Sequence, residues 1–135
     1  MINNKLKKNI FEKAAVCRHF EQNVYECVAK KIIKFPVYLS SGQEFISSTL
    51  SEIILNILKV KPLIFAQHRC HSTYLSFGGS TVGLIKELLG KKDGCTYGMG
   101  GSASIHSPKI NMFGHDGHMG TQVPIGVGAC FASKK

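Results

Sequence analysis

The chain has 135 residues, 44% of them hydrophobic, which is the size and composition of one globular domain with a sizeable core. Seventeen Lys and Arg against eight Asp and Glu give a formal charge of +9, but the basic residues are thinly spread and lack the aromatic-interleaved stripe of a nucleic-acid groove. Five cysteines without a C-x-x-C pair argue against a zinc ribbon and a secreted disulfide framework, and the apolar windows are too interrupted for a signal peptide or a membrane span. We therefore expect a cytoplasmic protein with neither nucleic-acid nor membrane partners.

The first predicted element is a helix over residues 10–33. Apolar residues recur there in steps of three and four and form one stripe: Ile10, Ala14, Cys17, Phe20, Val24, Val28 and Ile32. The other face carries charged residues that we expect to be solvated and without chemistry: Lys13, Arg18, Glu21 and Lys30.

A second helix is predicted after Pro36, which ends the first pattern. Ser41 and Glu44 have the S-x-x-E spacing of a capping box, in which each side chain bonds to the main chain of the other residue. The interior of this helix is expected to be formed by its apolar residues: Ile46, Leu50, Ile53, Ile54 and Ile57.

A short strand and a third helix follow. The β-prone run 63–65 leads directly into His68, Arg69, Cys70 and His71, and chemistry often lies at such a strand end. Ser80 is placed to cap the next helix. That helix has Val82, Ile85, Leu88 and Leu89 in its interior and closes at Gly90.

The segment between Gly90 and Gly120 is predicted to be a long, ordered ligand loop, because it is rich in Gly, Ser, His and Asn yet keeps apolar residues. Residues 123–132 then predict a helix with Pro124 in its first turn. Its residues are small or apolar almost all round, so we expect it to be buried on every side by elements that the preceding chain does not supply.

Four readings of residues 68–71 compete when this stretch is taken alone. A zinc site is disfavoured by the spacing and by the adjacent Arg69, and a Cys70 nucleophile lacks a base placed to activate it. The fork of Arg69 suits a phosphate, while a surface Arg among solvated histidines is the plainer alternative. The glycines at 98–101 superficially resemble a phosphate loop but lack its Lys-Ser/Thr ending.

The order of five blocks along the chain is more specific. These are FPVYLSSGQE at 35–44, HRCH at 68–71, KELLGK at 86–91, GC through GGS at 94–102, and GHDGHMGTQVPIG at 114–126. In this order they resemble the amino-terminal portion of the alpha subunit of thiamine-diphosphate-dependent 2-oxo acid dehydrogenases, the pyruvate, branched-chain and acetoin dehydrogenase group.

The resemblance implies roles for three residues in the first two of these blocks. The pair His68 and Arg69 stands where the family contacts the diphosphate of the cofactor, often as Tyr-Arg, so Arg69 is the implied diphosphate ligand. Tyr38 falls where many members carry a His facing substrate, which leaves the acyl selectivity open.

The glycine-rich half of the chain supplies further implied residues. Gly117 and Met119 match the backbone and the apolar side chain that hold the cofactor in its bent conformation. His106 approximates a loop histidine near the active-site entrance, although the spacing is longer than in Gly-Gly-Ser-Met-His, and Ser104 is the alternative in that register.

The implied fold is α/β: a truncated thiamine-diphosphate-binding fold, helix-rich with few strands. We expect residues 1–135 to form a single partial domain, with an amino-terminal helix at 1–35 and a cofactor-domain portion at 36–135. The family's magnesium-ligating Gly-Asp-Gly…Asn segment is expected beyond Lys135, so we assign no metal ligand within the chain.

The implied activity is oxidative decarboxylation of a 2-oxo acid with acyl transfer to lipoyl. Its implied partners are a beta subunit and a lipoyl-bearing acyltransferase, and the chain alone is expected to be inactive. The competing expectation is a non-catalytic remnant or split-subunit interaction module.

Overall fold

The computed structural model describes residues 3–113 and 118–134. Five α-helices, a π-helical turn, a 3-10 turn and two short strands follow one another along this part of the chain. Their bounds are α1 (Asn4–Ala29), α2 (Glu44–Glu52), the π turn (Ile53–Ile57), β1 (Ile64–Phe65), α3 (His71–Ser76), α4 (Thr81–Leu88), the 3-10 turn (Pro108–Ile110), β2 (Met112–Phe113) and α5 (Gln122–Ala132).

Helix α1 forms along most of its predicted stripe, but it ends at Ala29 rather than at residue 33, and Ile32 lies beyond it and is 54% exposed. The helix begins where the Asn3 side chain accepts a hydrogen bond from the Leu6 amide. It packs against α2 and α3. Its buried face comprises Ala14, Cys17, Glu21 and Val24. The prediction that Glu21 is solvated is therefore wrong: its side chain is fully buried, because residues 14, 17, 21 and 24 are spaced by three, four and three and share one face.

Helix α2 is present, but its orientation is opposite to the prediction. Its polar residues face inward: Glu44, Ser47, Ser48, Ser51 and Glu52 are buried. Its apolar residues Ile46 and Leu50 face outward, 64% and 49% exposed, and Ile57 in the π turn that follows is 55% exposed. The neighbouring helices explain this, because α1 presents Arg18 and Lys13 to the two carboxylates, and α3 presents hydroxyl groups to the serines.

The predicted capping box is replaced by a related contact. Gln43 precedes the helix without a side-chain capping bond, and both Glu44 oxygens accept from the Gly42 amide, at 3.1 and 2.9 Å. The glutamate therefore reaches back to the main chain, while Ser41 does not cap the helix.

The two strands pair in parallel, with Ile64 opposite Met112 and Phe65 opposite Phe113. The rings of Phe65 and Phe113 stack with centroids 5.4 Å apart. The strand at 63–65 is confirmed at two residues, and a helix-rich chain with few strands is what the resemblance implies.

Helix α4 has its predicted start and end, but its predicted interior is only partly right, because Val82 is 58% and Leu89 36% exposed. The Ser80 hydroxyl accepts from the Gly83 amide at 3.1 Å, and Gly90 has φ +67°, which a glycine adopts without strain. Leu84 and Leu88 are fully buried and join the two parts of the core.

Helix α5 also forms, and much of its apolar surface is uncovered within the described residues, which leaves its expected burial by other elements a prediction. Val123 is 68%, Val127 65% and Phe131 81% exposed, and the helix contacts β1 on one side. Nowhere in residues 3–113 and 118–134 is a helix both long and apolar enough to cross a membrane.

Candidate functional site

Residues 38–40 form a short segment that three side chains hold at consecutive positions. The Tyr38 amide donates to Ser102 Oγ at 2.8 Å, and Arg69 Nη1 donates to the Leu39 carbonyl at 2.9 Å. The Ser40 amide and hydroxyl both donate to one oxygen of Glu21, at 3.0 and 2.6 Å. This 38–40 segment thereby connects α1, the end of β1 and the glycine-rich loop.

Three of the predicted site residues lie together at this segment: Tyr38 belongs to it, and His68 and Arg69 contact it. The rings of Tyr38 and His68 meet edge to face, with centroids 4.9 Å apart, and Arg69 is next in the chain. The guanidinium is exposed and uses one nitrogen on Leu39. Because a guanidinium carries five N–H donors, it keeps donors for an anion while it is held by this one bond.

Below this surface lies a buried polar cluster that the sequence analysis missed. His71 Nδ1 is 3.1 Å from Glu21 Oε1, and His71 Nε2 is 2.8 Å from Ser102 Oγ. Glu21 and His71 are fully buried, and Ser102 is 2% exposed. Burial opposes ionisation of Glu21, but its hydrogen bonds to His71 and Ser40 outweigh that cost and hold its pKa below the usual glutamate value.

The order Ser102, His71, Glu21 is that of a hydrolytic triad, but the environment does not suit one. A nucleophilic hydroxyl must reach substrate, whereas Ser102 is buried and receives the Tyr38 amide on its oxygen. The cluster therefore serves the 38–40 segment and is not a nucleophile.

A single carboxylate organises the glycine-rich loop. One oxygen of Glu87 accepts from the amides of Thr96 (2.7 Å) and Gly98 (2.9 Å). The other accepts from Gly100 (2.8 Å) and Gly101 (3.0 Å), and Glu87 is fully buried. This part of the predicted long loop is thus ordered by a carboxylate of the chain itself rather than by a bound ligand.

The loop's tight packing explains one of its glycines. A Cβ on Gly94 would lie 2.7 Å from the main chain of Glu87, so this position excludes a side chain. The loop therefore closes directly on helix α4.

His106 lies within the glycine-rich segment, where it contacts Thr96 and Phe113. Its ring meets that of Phe113 edge to face at 5.6 Å, and its amide donates to Thr96 Oγ1 at 3.1 Å. Met119 is 79% exposed in the turn before α5, and Gly117 lies outside the described residues. The grouping seen in the structure is thus of Tyr38, His68 and Arg69.

Cys70 follows Arg69 but turns into the core. It is 2% exposed, and burial raises the pKa of its thiol to about 12. A thiol of this kind is not a nucleophile near neutral pH. Within residues 3–113 and 118–134, no three His, Cys, Asp or Glu side chains come together as a metal site.

A further depression lies elsewhere, at the start of α4. It has a volume of about 610 Å³ and is lined in part by Tyr74, Tyr97 and Lys109. Two charged residues in its wall, Lys86 and Asp93, form an ion pair. None of the three grouped site residues lines it, so we place the candidate site at the 38–40 segment.

Comparison with known proteins gives a consistent family. The sequence model of the family described as "Dehydrogenase E1 component" matches residues 12–135. The chain is 33% identical over 124 residues to the pyruvate dehydrogenase E1 component subunit alpha-1, mitochondrial, of Oryza sativa, covering 92% of this chain and 31% of that protein.

Two fungal relatives agree. The mitochondrial pyruvate dehydrogenase E1 component subunit alpha of Saccharomyces cerevisiae is 36% identical over 104 residues, which are 77% of this chain and 23% of that protein. The corresponding subunit of Chaetomium thermophilum is 31% identical over 133 residues, which are 98% of this chain and 31% of that protein. The chain thus spans about a third or less of the length of these curated relatives.

Proposed function

Because the chain belongs to the dehydrogenase E1 component family, we propose that it is the amino-terminal portion of a thiamine-diphosphate-dependent 2-oxo acid dehydrogenase alpha subunit. In this role it holds part of a thiamine-diphosphate-binding fold. The single observation that carries the proposal is the placement of the Arg69 guanidinium on the 38–40 segment, beside His68 and Tyr38.

The donor set suits a diphosphate. Arg69 offers a planar fork to phosphate oxygens. Its bond to the Leu39 carbonyl already restricts the side chain, so less conformational entropy is lost when an anion binds. His68 adds an imidazole beside it, whose ring lies against Tyr38. The chemistry of these residues therefore fits the anionic end of thiamine diphosphate.

When bound, thiamine diphosphate supplies the carbanion chemistry that decarboxylates a 2-oxo acid. The chain's own residues bind and orient. Arg69 and His68 would hold the diphosphate and Tyr38 would face the 2-oxo acid, while the resemblance implies that Gly117 and Met119 would lie against the cofactor. His106 is proposed to lie near the substrate entrance.

Full affinity requires more than these residues. Residues 1–135 contain no Gly-Asp-Gly…Asn segment, which by the resemblance ligates magnesium. We therefore propose that the chain alone binds thiamine diphosphate weakly and is inactive, and that a beta subunit and a lipoyl-bearing acyltransferase complete the enzyme in the cytoplasm. Tight, magnesium-dependent binding of the cofactor in a calorimetric titration would contradict this part of the proposal.

Three variants test the assignment of Arg69 in NMR titrations with thiamine diphosphate, a method that measures weak binding. Arg69→Ala is expected to lower the affinity by roughly tenfold or more, since a hydrogen bond to a charged group contributes about 1.5–3 kcal/mol. Lys61→Ala removes the same charge from an exposed residue before β1, and Cys70→Ala changes the neighbouring side chain. Equal losses in all three variants would reject the assignment of Arg69.

A second function class, an interaction module, is supported by the exposed apolar surfaces. Ile46 and Leu50 on α2 and Val127 and Phe131 on α5 are all about half exposed or more, which is unusual for a chain that acts without partners. Co-expression with a beta subunit separates the alternatives: an interaction module forms a stable complex without cofactor, whereas the enzyme portion needs the remaining segment to restore activity.

A further inference from the structure

The 38–40 segment has neither helical nor strand structure of its own, yet each of its three residues is held by a different part of the chain. Ser102 of the glycine-rich loop holds Tyr38, Arg69 at the end of β1 holds Leu39, and Glu21 of α1 holds Ser40. Because Arg69 docks on the Leu39 carbonyl, its direction depends on where the two flanking residues are fixed.

The hydrogen bonds of this cluster form a directional chain. Ser102 Oγ accepts the Tyr38 N–H, and the direction of its 2.8 Å bond to His71 Nε2 follows the histidine tautomer. We take the tautomer in which the hydroxyl donates to Nε2, because it gives the hydroxyl hydrogen an acceptor. An accepting Nε2 requires the histidine proton on Nδ1, from which it donates to Glu21. With this tautomer every hydrogen in the chain has an acceptor.

The chain closes at Ser40. One oxygen of Glu21 accepts from both the amide and the hydroxyl of Ser40, and Ser40 Oγ in turn accepts from the Ser72 amide at 3.0 Å. Ser40, Ser72 and Glu21 are all buried. A buried polar group without a hydrogen-bond partner raises the free energy of the folded state. Loss of one hydrogen bond is therefore expected to weaken the other bonds of this cluster.

We propose that Ser102, His71 and Glu21 are positioning residues that fix the 38–40 segment and thereby aim Arg69 and Tyr38 at the cofactor and the substrate. The proposal rests on the proposed function for what is bound at Arg69. The part that concerns the arrangement of the segment stands on its contacts within the chain alone.

The test compares Ser102→Ala with Ser41→Ala, the same substitution at an exposed residue beside the segment. In Ser102→Ala the Tyr38 amide loses its acceptor and is expected to exchange with solvent roughly three- to tenfold faster, as the loss of one net hydrogen bond implies. NMR relaxation of Arg69 Nε is expected to show a more mobile side chain. The affinity for inorganic pyrophosphate, titrated on the same resonance, is expected to fall by a similar factor.

Three results have distinct meanings. Changes in Ser102→Ala with wild-type behaviour in Ser41→Ala support the proposal. Unchanged Tyr38 exchange and Arg69 mobility in Ser102→Ala overturn it, whatever pyrophosphate does. If Ser102→Ala mobilises Arg69 while pyrophosphate leaves the wild-type resonance unmoved, the positioning role stands and the proposed function fails.

A measurement on the unsubstituted chain covers the case in which Ser102→Ala does not fold. The ring-nitrogen chemical shifts of His71 are expected to show a protonated Nδ1 and an unprotonated Nε2 at neutral pH. The opposite tautomer, or protons on both nitrogens, contradicts the directional chain and overturns the proposal.

Discussion

Replacing Glu87 with glutamine tests whether one carboxylate holds the glycine-rich loop. The two oxygens of Glu87 accept four main-chain N–H groups in a fully buried position. In Glu87→Gln the amide oxygen can serve two of them, while the amide nitrogen faces the other two as a second donor. Each buried donor left without an acceptor costs about 1–3 kcal/mol.

The expected destabilisation is therefore about 2–6 kcal/mol, a large part of the roughly 5–15 kcal/mol that stabilises a typical domain. Urea unfolding followed by circular dichroism measures it, and a loss of 4 kcal/mol shifts the midpoint by about 2 M at a common slope. Glu26→Gln is the matched control, because Glu26 is 62% exposed and pairs with Lys30 on the surface. Equal midpoints for the two variants would refute the role assigned to Glu87.

Three other predictions concern the fold. Leu50→Ser is expected to change the free energy of unfolding by less than about 0.5 kcal/mol, whereas Ser48→Leu on the buried face is expected to lower it by about 1–3 kcal/mol. A larger loss for Leu50→Ser than for Ser48→Leu in urea unfolding would contradict the observed orientation of α2. Gly94→Ala is expected to lower the thermal unfolding midpoint, because the added Cβ would collide with the main chain of Glu87. Gly128→Ala is expected to raise the midpoint, because the space around Gly128 in α5 is open. A higher midpoint for Gly94→Ala would contradict the packing of the loop. Burial opposes ionisation of Glu44, but hydrogen bonds from a guanidinium and from amides lower its pKa. The ionised Glu44 side chain therefore stabilises the fold above the unfolded-state pKa of about 4.3, and this stabilisation disappears as pH falls through the lower folded-state pKa. The difference in the free energy of unfolding between wild type and Glu44→Gln should thus narrow below about pH 4. A difference that does not depend on pH contradicts this.

The local signals in the sequence predict local structure well. The apolar stripe predicts α1, Ser80 predicts the start of α4, and Gly90 predicts its end, because each rests on contacts within a few residues. Strand β2, only two residues long, carries too few side chains to give a pattern of its own. Its existence depends on pairing with β1, which is distant in the sequence.

The orientation of α2 and the burial of Glu21 show where pattern arguments stop. A hydrophobic pattern tells which residues share a face, but here the polar face of α2 is buried because α1 and α3 present matching groups. For Glu21, the spacing to Cys17 and Val24 already places it on the buried face. The signal was thus present, and the charge of the residue concealed it.

The residues of the candidate site also divide into those that local sequence signals predict and those whose roles depend on distant contacts. Arg69 is identified by its chemistry and by the resemblance, and its neighbours Tyr38 and His68 are predicted with it. His71 and Ser102 take their roles from contacts between residues 31 positions apart, which no local spacing reveals.

A structure of the chain with thiamine diphosphate and magnesium tests the central claim most directly. The account predicts diphosphate oxygens within hydrogen-bond distance of the Arg69 guanidinium, with Arg69 still bound to the Leu39 carbonyl. Cofactor bound at another place, with the Arg69 side chain turned to solvent, would contradict it.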